Sequence, residues 1–405
     1  MSETSGPLSG RTIVLGVTGS IAAYKAVEVA SRLVQAGATV RPVMTRAATE
    51  FVGPATFRGV TGHEPLVDIW APDGEHAEPH VALGREADLM LVTPATASVM
   101  ARLAHGISDD CVTLAALAMR GPLLVAPAMD AGMWANAATQ ANARTLRDRG
   151  VTFLGPVEGR LASGEMGAGR LMEPMAIVDH IKAAAGRLDG PLAGARIAVT
   201  AGGTREPVDP VRFVGNRSSG KMGYAVAEAA RDRGAEVVLI TSAELAAPAG
   251  VRVAPVETAQ EMLDAVQEHV PACDALIMAA AVADYRPLEA ATEKQKRGGR
   301  ETWGIDLVRN PDIIASVAVD GLIKVAFAAE TQDLVDNAAK KLVEKDAHLI
   351  VANDVSATDA GFAVDTNRIT ILDRTGNRED LPLMSKYDCG VRILDRVQEL
   401  LAAGG

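Results

Sequence analysis

Cysteine is scarce: Cys111, Cys273 and Cys389 are the only three in 405 residues, and none stands in a CxxC or CxxxC spacing. That disfavours a disulfide framework and a structural zinc site, and a reducing, cytoplasmic setting fits best. No long Lys/Arg run occurs and the net charge is −11, so a general surface for DNA, RNA or anionic lipid is not expected. A phosphorylated ligand would need a locally basic or amide-lined site. No apolar run reaches the roughly 20 residues that span a bilayer, and Met1-Ser-Glu-Thr-Ser-Gly6 has neither the basic nor the apolar region of a secretory leader. The chain reads as soluble and untargeted, with no nucleic-acid or membrane partner. Low-complexity segments and solenoid repeats are also lacking.

What is present is a repeated strand-turn-helix grammar. Thr12-Ile-Val-Leu-Gly-Val17 is a continuous apolar run, as in strands covered on both faces. Thr18-Gly19-Ser20 turns it into a helical pattern over Ile21 to Val34 that stops at Gly37, and a strand follows from Thr39 to Met44. The same order restarts at Arg196-Ile-Ala-Val-Thr200, passes a Gly-rich turn and a helix around Met222 to Arg231, and resumes at Ala235 to Ile240. Two such openings predict an α/β protein of two doubly wound, mostly parallel Rossmann-like sheets, each with a ligand crevice beyond the carboxyl ends of its strands. The boundary is expected between Ala183 and Gly194, giving domains 1–188 and 189–405. Further strands are predicted at Leu89–Val92, Leu123–Ala126, Ala275–Met278, Ile323–Phe327 and Ala347–Val351, with a hairpin over Arg368–Leu372 and Leu381–Leu383.

Gly19 and Ser20 at a strand-to-helix junction offer N–H groups and a hydroxyl to a phosphate, although a capped tight turn is the commoner meaning. No full GxGxxG is present, which counts against a nicotinamide dehydrogenase. More specific are Pro127-Ala-Met-Asp-Ala-Gly-Met-Trp134 and the Gly-rich flap Gly159-Arg-Leu-Ala-Ser-Gly-Glu-Met-Gly-Ala-Gly-Arg170, flexible enough to close over a ligand. In this order the motifs resemble the homo-oligomeric flavin-containing cysteine decarboxylases, over roughly residues 11 to 180.

That resemblance implies a flavodoxin-like domain with FMN cradled by Gly19, Ser20, Thr45, Pro94, Ala95 and Thr96, and with His80 as catalytic base. His76 is a rival by spacing only. An imidazole suits proton abstraction near neutrality. Removing CO2 directly from a cysteinyl carboxylate leaves a carbanion with nowhere to delocalise, and oxidation at the thiol-bearing carbon by the flavin removes that obstacle. Two positions depart from the family: Asp130 stands where it has Asn, and Ser163 where it has the clamp Cys. Asp130 still accepts a hydrogen bond but lacks the amide donor.

In the second half, Thr200-Ala-Gly-Gly-Thr-Arg and Asn216-Arg-Ser-Ser-Gly-Lys-Met-Gly223 join a Gly-rich turn to a helix start. Met222 after Gly220-Lys221 disfavours a Walker-type P-loop. Together with Ala280-Ala-Val-Ala-Asp-Tyr285, Glu293-Lys-Gln-Lys-Arg297, Asn310-Pro-Asp-Ile313 and Phe327-Ala-Ala-Glu-Thr331, the stretch resembles the phosphopantothenate–cysteine ligase family up to the C-terminus. By resemblance Met278, Ala279, Ala280, Pro311, Asp312, Ile313, Ile314 and Phe327 line a cytidine site. Asp284, Lys294, Lys341 and Lys345 would handle triphosphate and metal, and Arg212 and Asn216 the phosphopantothenate and acyl intermediate. The Lys294 run equally reads as a solvated loop, and Lys341/Lys345 as a plain helix face.

The implied chemistry is ligation of cysteine to 4′-phosphopantothenate with CTP and Mg2+, the metal held by triphosphate oxygens and Asp284, followed by decarboxylation to 4′-phosphopantetheine. Asn216 and Lys294 would join His80, Asp130 and Ser163 as catalytic residues. The resemblance also implies trimers of the first domain, with flavin sites at their subunit contacts, and dimers of the second, hence a homo-oligomer, up to a dodecamer. The rival is a flavin-binding regulatory protein with a degenerate decarboxylase half.

Overall fold

A computed structural model describes residues 6–70, 78–296, 301–330, 340–354 and 364–403. Two compact units emerge, Met1–Ala185 and Gly186–Gly405. In the first, β1 (Thr12–Val17), α1 (Ala23–Gln35), β2 (Thr39–Met44), α2 (Pro54–Thr61), α3 (Pro79–Glu86), β3 (Leu89–Ala95), α4 (Ala97–His105), α5 (Cys111–Ala118) and β4 (Leu123–Pro127) succeed one another. After them come α6 (Ala131–Ala135), α7 (Ala137–Asp148), β5 (Thr152–Phe153), β6 (Val157–Arg160), β7 (Met166–Arg170) and α8 (Pro174–Asp189).

The sheet runs β2-β1-β3-β4-β5, every pair parallel. Alternation along β1 sends Ile13, Leu15 and Val17 into one core cluster and Val14 into the other, so both faces are covered and the strand reads as continuously apolar. Helix α1 answers with Ala23, Ala26, Val29, Ala30 and Leu33 buried, one stripe at helical spacing. It ends at Gly37, whose φ of 97° is left-handed.

The second unit starts β8 (Arg196–Ala201), β9 (Arg205–Pro207), β10 (Phe213–Gly215), α9 (Lys221–Asp232), β11 (Glu236–Thr241), β12 (Arg252–Pro255), α10 (Ala259–His269) and β13 (Ala275–Met278). It continues with β14 (Tyr285–Pro287), β15 (Leu307–Arg309), α11 (Ile313–Ser316), β16 (Ile323–Glu330), β17 (Leu349–Asp354), β18 (Thr366–Asn367), β19 (Ile369–Asp373), β20 (Arg378–Asp380), β21 (Met384–Ser385) and a last helix, Lys386–Ala403. Eight strands form the sheet β12-β11-β8-β13-β16-β17-β19-β20. It is parallel as far as β17 and then antiparallel. The predicted hairpin is there, but its second strand is Arg378–Asp380, because Leu381 turns inward to the core. Gly234 repeats the φ of 97° seen at Gly37, the same helix stop before the same kind of strand.

Two candidate active sites

In the first unit the strand order reverses between β1 and β3, the switch point where an open parallel sheet leaves a crevice. Thr18 is fully buried there. Its hydroxyl donates to the Pro94 carbonyl at 2.6 Å and accepts from the Thr96 N–H at 3.2 Å, stapling the loops that follow the two strands. Thr96 then caps α4 by accepting from Val99. Thr45 donates its N–H to the Val17 carbonyl at 3.0 Å and accepts from the Ala48 N–H at 3.2 Å, bringing the third loop alongside. A Cβ on Gly19 would lie 2.6 Å from that of Ala47, so only glycine permits the approach. Gly19, Ser20, Thr45, Pro94, Ala95 and Thr96 therefore share the carboxyl edge of β1, β2 and β3. The buried Thr93 hydroxyl beside them has no hydrogen-bond partner.

A cavity of about 590 Å3 opens next to Ser20 and reaches Met129, Asp130, Arg160 and Ser163. The Gly-rich flap is not a loose loop but the antiparallel ribbon β6–β7. Met129 donates to the Gly169 carbonyl at 3.0 Å, and a Cβ on Gly169 would meet the Met129 carbonyl oxygen at 2.4 Å, so backbone docks directly on backbone. Ser163 Oγ donates to Asp130 Oδ2 at 3.3 Å, while Asp130 Oδ1 accepts from the Gly132 N–H at 2.9 Å. The two departures from the family pattern thus face each other. Lys25, Arg160 and Arg170 line the same cavity. Lys25 pairs with Glu173 at 3.2 Å, and that hydrogen bond chiefly holds the Glu173 carboxyl below its usual range. His80 lies half-buried in the first turn of α3 and is not among the residues lining this cavity. His76 lies outside the described residues.

The second unit has the same switch point, between β8 and β13. Thr200 Oγ1 accepts from the Ala280 N–H at 3.2 Å, Ala281 donates to the Gly202 carbonyl at 2.8 Å, and buried Thr204 accepts from the Ala283 N–H at 2.9 Å. Asn216 donates to the Val282 carbonyl at 2.9 Å, and Asn310 to that of Ala283 at 2.8 Å. Segments scattered over 170 residues of sequence thereby enclose a cavity of about 750 Å3. It brings together Asn216, Met278, Ala279, Ala280, Asp284, Pro311, Asp312, Ile313, Ile314, Phe327 and Lys345. Arg212, Lys294 and Lys341 are not on its wall.

Sequence reasoning missed several lining residues, among them Arg309, Asn367 and Lys386, and quoted Lys221 only as part of its motif without a role. Lys386 opens the last helix and is 5% exposed; burial, with the Lys221 charge behind it, lowers its pKa. No local pattern marks a lysine 165 positions from Lys221 as its neighbour in a cavity. Arg217, Lys221, Arg309, Lys345 and Lys386 line it beside Asp284 and Asp312, with Lys221 also paired to Asp365 at 2.7 Å, so an acidic chain holds a pocket whose lining is mainly basic and suited to a polyanion. Lys345 pairs with Asp312 at 3.8 Å. Among the described residues no cluster of three His, Cys, Asp or Glu could hold a metal, and no helix is long and apolar enough to cross a membrane.

A flavodoxin-like sheet and a Rossmann-like sheet, each with a small-molecule crevice at its switch point, define a two-site α/β enzyme. The family described as Flavoprotein matches residues 1–186, and the one described as DNA/pantothenate metabolism flavoprotein C-terminal domain matches residues 192–401. The chain is 45% identical over 409 residues to the coenzyme A biosynthesis bifunctional protein CoaBC of Mycobacterium tuberculosis (strain ATCC 25618 / H37Rv), covering 97% of each. It is 43% identical over 400 residues to that of Bacillus subtilis (strain 168), covering 97% of this chain and 98% of the relative. A crystal structure of the C-terminal domain of a CoaBC protein is 40% identical and covers 53% of this chain and 99% of that one, with a TM-score of 0.46. The chain belongs to the family of coenzyme A biosynthesis bifunctional proteins, with a flavoprotein decarboxylase half followed by a ligase half.

Proposed function

We propose that the second unit joins cysteine to 4′-phosphopantothenate at the expense of CTP, and that the first, carrying FMN, converts the product to 4′-phosphopantetheine and CO2. The observation that carries the ligase reading is the basic cavity assembled from four separated motifs, those of Asn216, Ala280, Asn310 and Phe327. In it a carboxylate oxygen attacks the α-phosphorus of CTP and pyrophosphate leaves. The cysteine amine then attacks the acyl carbon, CMP leaves and the amide nitrogen loses a proton. Asn216 and Arg212 orient the acyl group, Lys294 offsets phosphate charge, and Lys341 and Lys345 draw in the triphosphate. Asp284 is the carboxylate that would hold Mg2+ alongside triphosphate oxygens, in keeping with how sparsely this ion uses protein ligands.

The stapled loops at β1, β2 and β3 fit FMN through amide donors, Ser20 and the close approach at Gly19. When bound, the flavin supplies the oxidation and re-reduction that make loss of CO2 feasible. Asp130 and Ser163 orient the cysteinyl end of the substrate. His80 moves a proton, and since it is not among the residues lining the cavity of Asp130 and Ser163, the reading has a second copy of the chain bring it there. Mass analysis of products formed from phosphopantothenate, cysteine and each nucleoside triphosphate tests the whole. Phosphopantetheine with CMP is the expected outcome, and absence of the amide with every nucleotide would refute the ligase reading.

A further inference from the structure

Lys294 sits in a segment clamped at both ends by one small hairpin. On one side the Ala291 N–H donates to the Val208 carbonyl at 3.0 Å. On the other, the Gln295 N–H donates to Asp209 Oδ2 at 3.2 Å. The side chain of Asp209 is wholly buried. Its second oxygen, Oδ1, accepts from the N–H groups of Val211 at 2.8 Å and Arg212 at 2.9 Å, shaping the turn that carries Arg212. The Arg212 guanidinium closes the assembly: it lies 3.7 Å from Asp209 Oδ2, donates to the Gln295 carbonyl at 3.2 Å and stacks 4.9 Å from the Trp303 ring. Burial alone would raise the Asp209 pKa, but the N–H groups of Val211, Gln295 and Arg212 and the Arg212 charge outweigh it and hold the group ionised.

We infer that Asp209 is a positioning residue of the ligase, one buried carboxylate that fixes the Arg212 turn with one oxygen and the Lys294 segment with the other. Neither Arg212 nor Lys294 is on the wall of the cavity, so their reach toward a substrate depends on how this joint is set. The inference rests on the proposed role of Lys294. Asp209→Asn separates the two functions: an amide keeps one oxygen for the Val211 and Arg212 N–H groups but turns an N–H toward the Gln295 N–H, so the turn survives and the tether does not. Misplacement of this kind costs on the order of 10–100-fold in turnover.

The test measures CTP-dependent ligation in the full chain for wild type, Asp209→Asn, Lys294→Gln and the double variant, with decarboxylation of supplied phosphopantothenoylcysteine and thermal melting in parallel. Ligation kcat is expected to fall in both single variants and to fall little further in the double, because both changes act through one group, while decarboxylation stays at the wild-type rate. Asp209→Ser, whose hydroxyl still accepts from the near turn but cannot span to Gln295, should reproduce Asp209→Asn should the latter fold poorly. Wild-type kcat in both Asp209 variants, or losses that add in the double variant, overturns the inference. Undiminished ligation in Lys294→Gln overturns the role of Lys294 and this inference with it.

Discussion

Both units place a threonine at the end of their first strand and use its side chain to tie down the loop after the neighbouring strand, yet the sites that result differ in completeness. In the second unit Thr200 and Thr204 hold a loop that is itself the cavity wall, and most of the proposed ligase residues meet there within one chain. In the first, Thr18 joins the β1 and β3 loops, while His80 is absent from the wall where Ser163 meets Asp130. A shared sheet topology thus sets where a crevice forms; whether one chain suffices to furnish it depends on the loops.

The strongest way to break this comparison is to remove the chemistry from one unit at a time. His80→Asn is expected to keep the yellow flavin and reduce CO2 release by roughly 10²–10⁴-fold, the usual worth of a positioned acid or base, with ligation untouched. Lys294→Gln should do the converse. Where Ser163→Ala also loses decarboxylation, mixing it with His80→Asn chains should restore part of the activity, and no recovery in re-assembled mixtures would refute a site shared by two copies.

Next in size are the staples. Thr18→Val leaves the buried Pro94 carbonyl and the part-buried Thr96 N–H without their partner, so it should cost about 2–3 kcal/mol and loosen the flavin, read by urea titration with flavin fluorescence as probe. Thr200→Val forfeits the bond from Ala280 and the weak one that Thr200 Oγ1 donates to Met278 Sδ at 3.6 Å, and should cost about 1 kcal/mol. Equal losses would say that the two threonines do the same job.

Ser163 offers a finer cut. A hydroxyl is a far weaker acid than the thiol found in the family, so Ser163→Cys is expected to raise the share of saturated product seen by mass. Unchanged product and rate in Ser163→Ala would remove the residue from the chemistry.

The smallest effect concerns pH. His348 Nδ1 accepts the Lys324 N–H at 3.1 Å, and burial, with the Arg374 charge behind it, lowers its pKa from 6.5. The folded state therefore prefers the neutral ring. Its stabilising contribution is present above pH 6.5 and is lost as pH falls through the lowered value. His348→Asn, whose carbonyl accepts without titrating, should flatten the acid limb of a denaturation-against-pH curve for the second unit, and an unchanged limb would refute this.

The strands were largely legible because burial on both faces leaves an unbroken apolar run, as at Ile13 to Val17, and helix stops announce themselves at Gly37 and Gly234. Boundaries failed where side chains contradicted the pattern: Leu381 reads as strand but serves the core beyond it. Of the sites, local motifs such as Asn216 to Gly223 were readable, since a turn and its helix lie in one stretch. Lys386 and Asn367 were not, because only the folded chain brings them to Lys221. Thr18 was hidden for the opposite reason, in that a threonine after a strand is ordinary until its two partners are known.

The large sheet also has consequences at its margins. One edge is β20, whose three residues Arg378, Glu379 and Asp380 are all charged, and the other is β12, which begins with Arg252 and stops at Pro255. Short, charged or proline-ended edge strands are poor templates for a further strand. The large sheet of the second unit is therefore a poor template for edge-to-edge growth, and its two margins are guarded against recruiting a strand from a second copy.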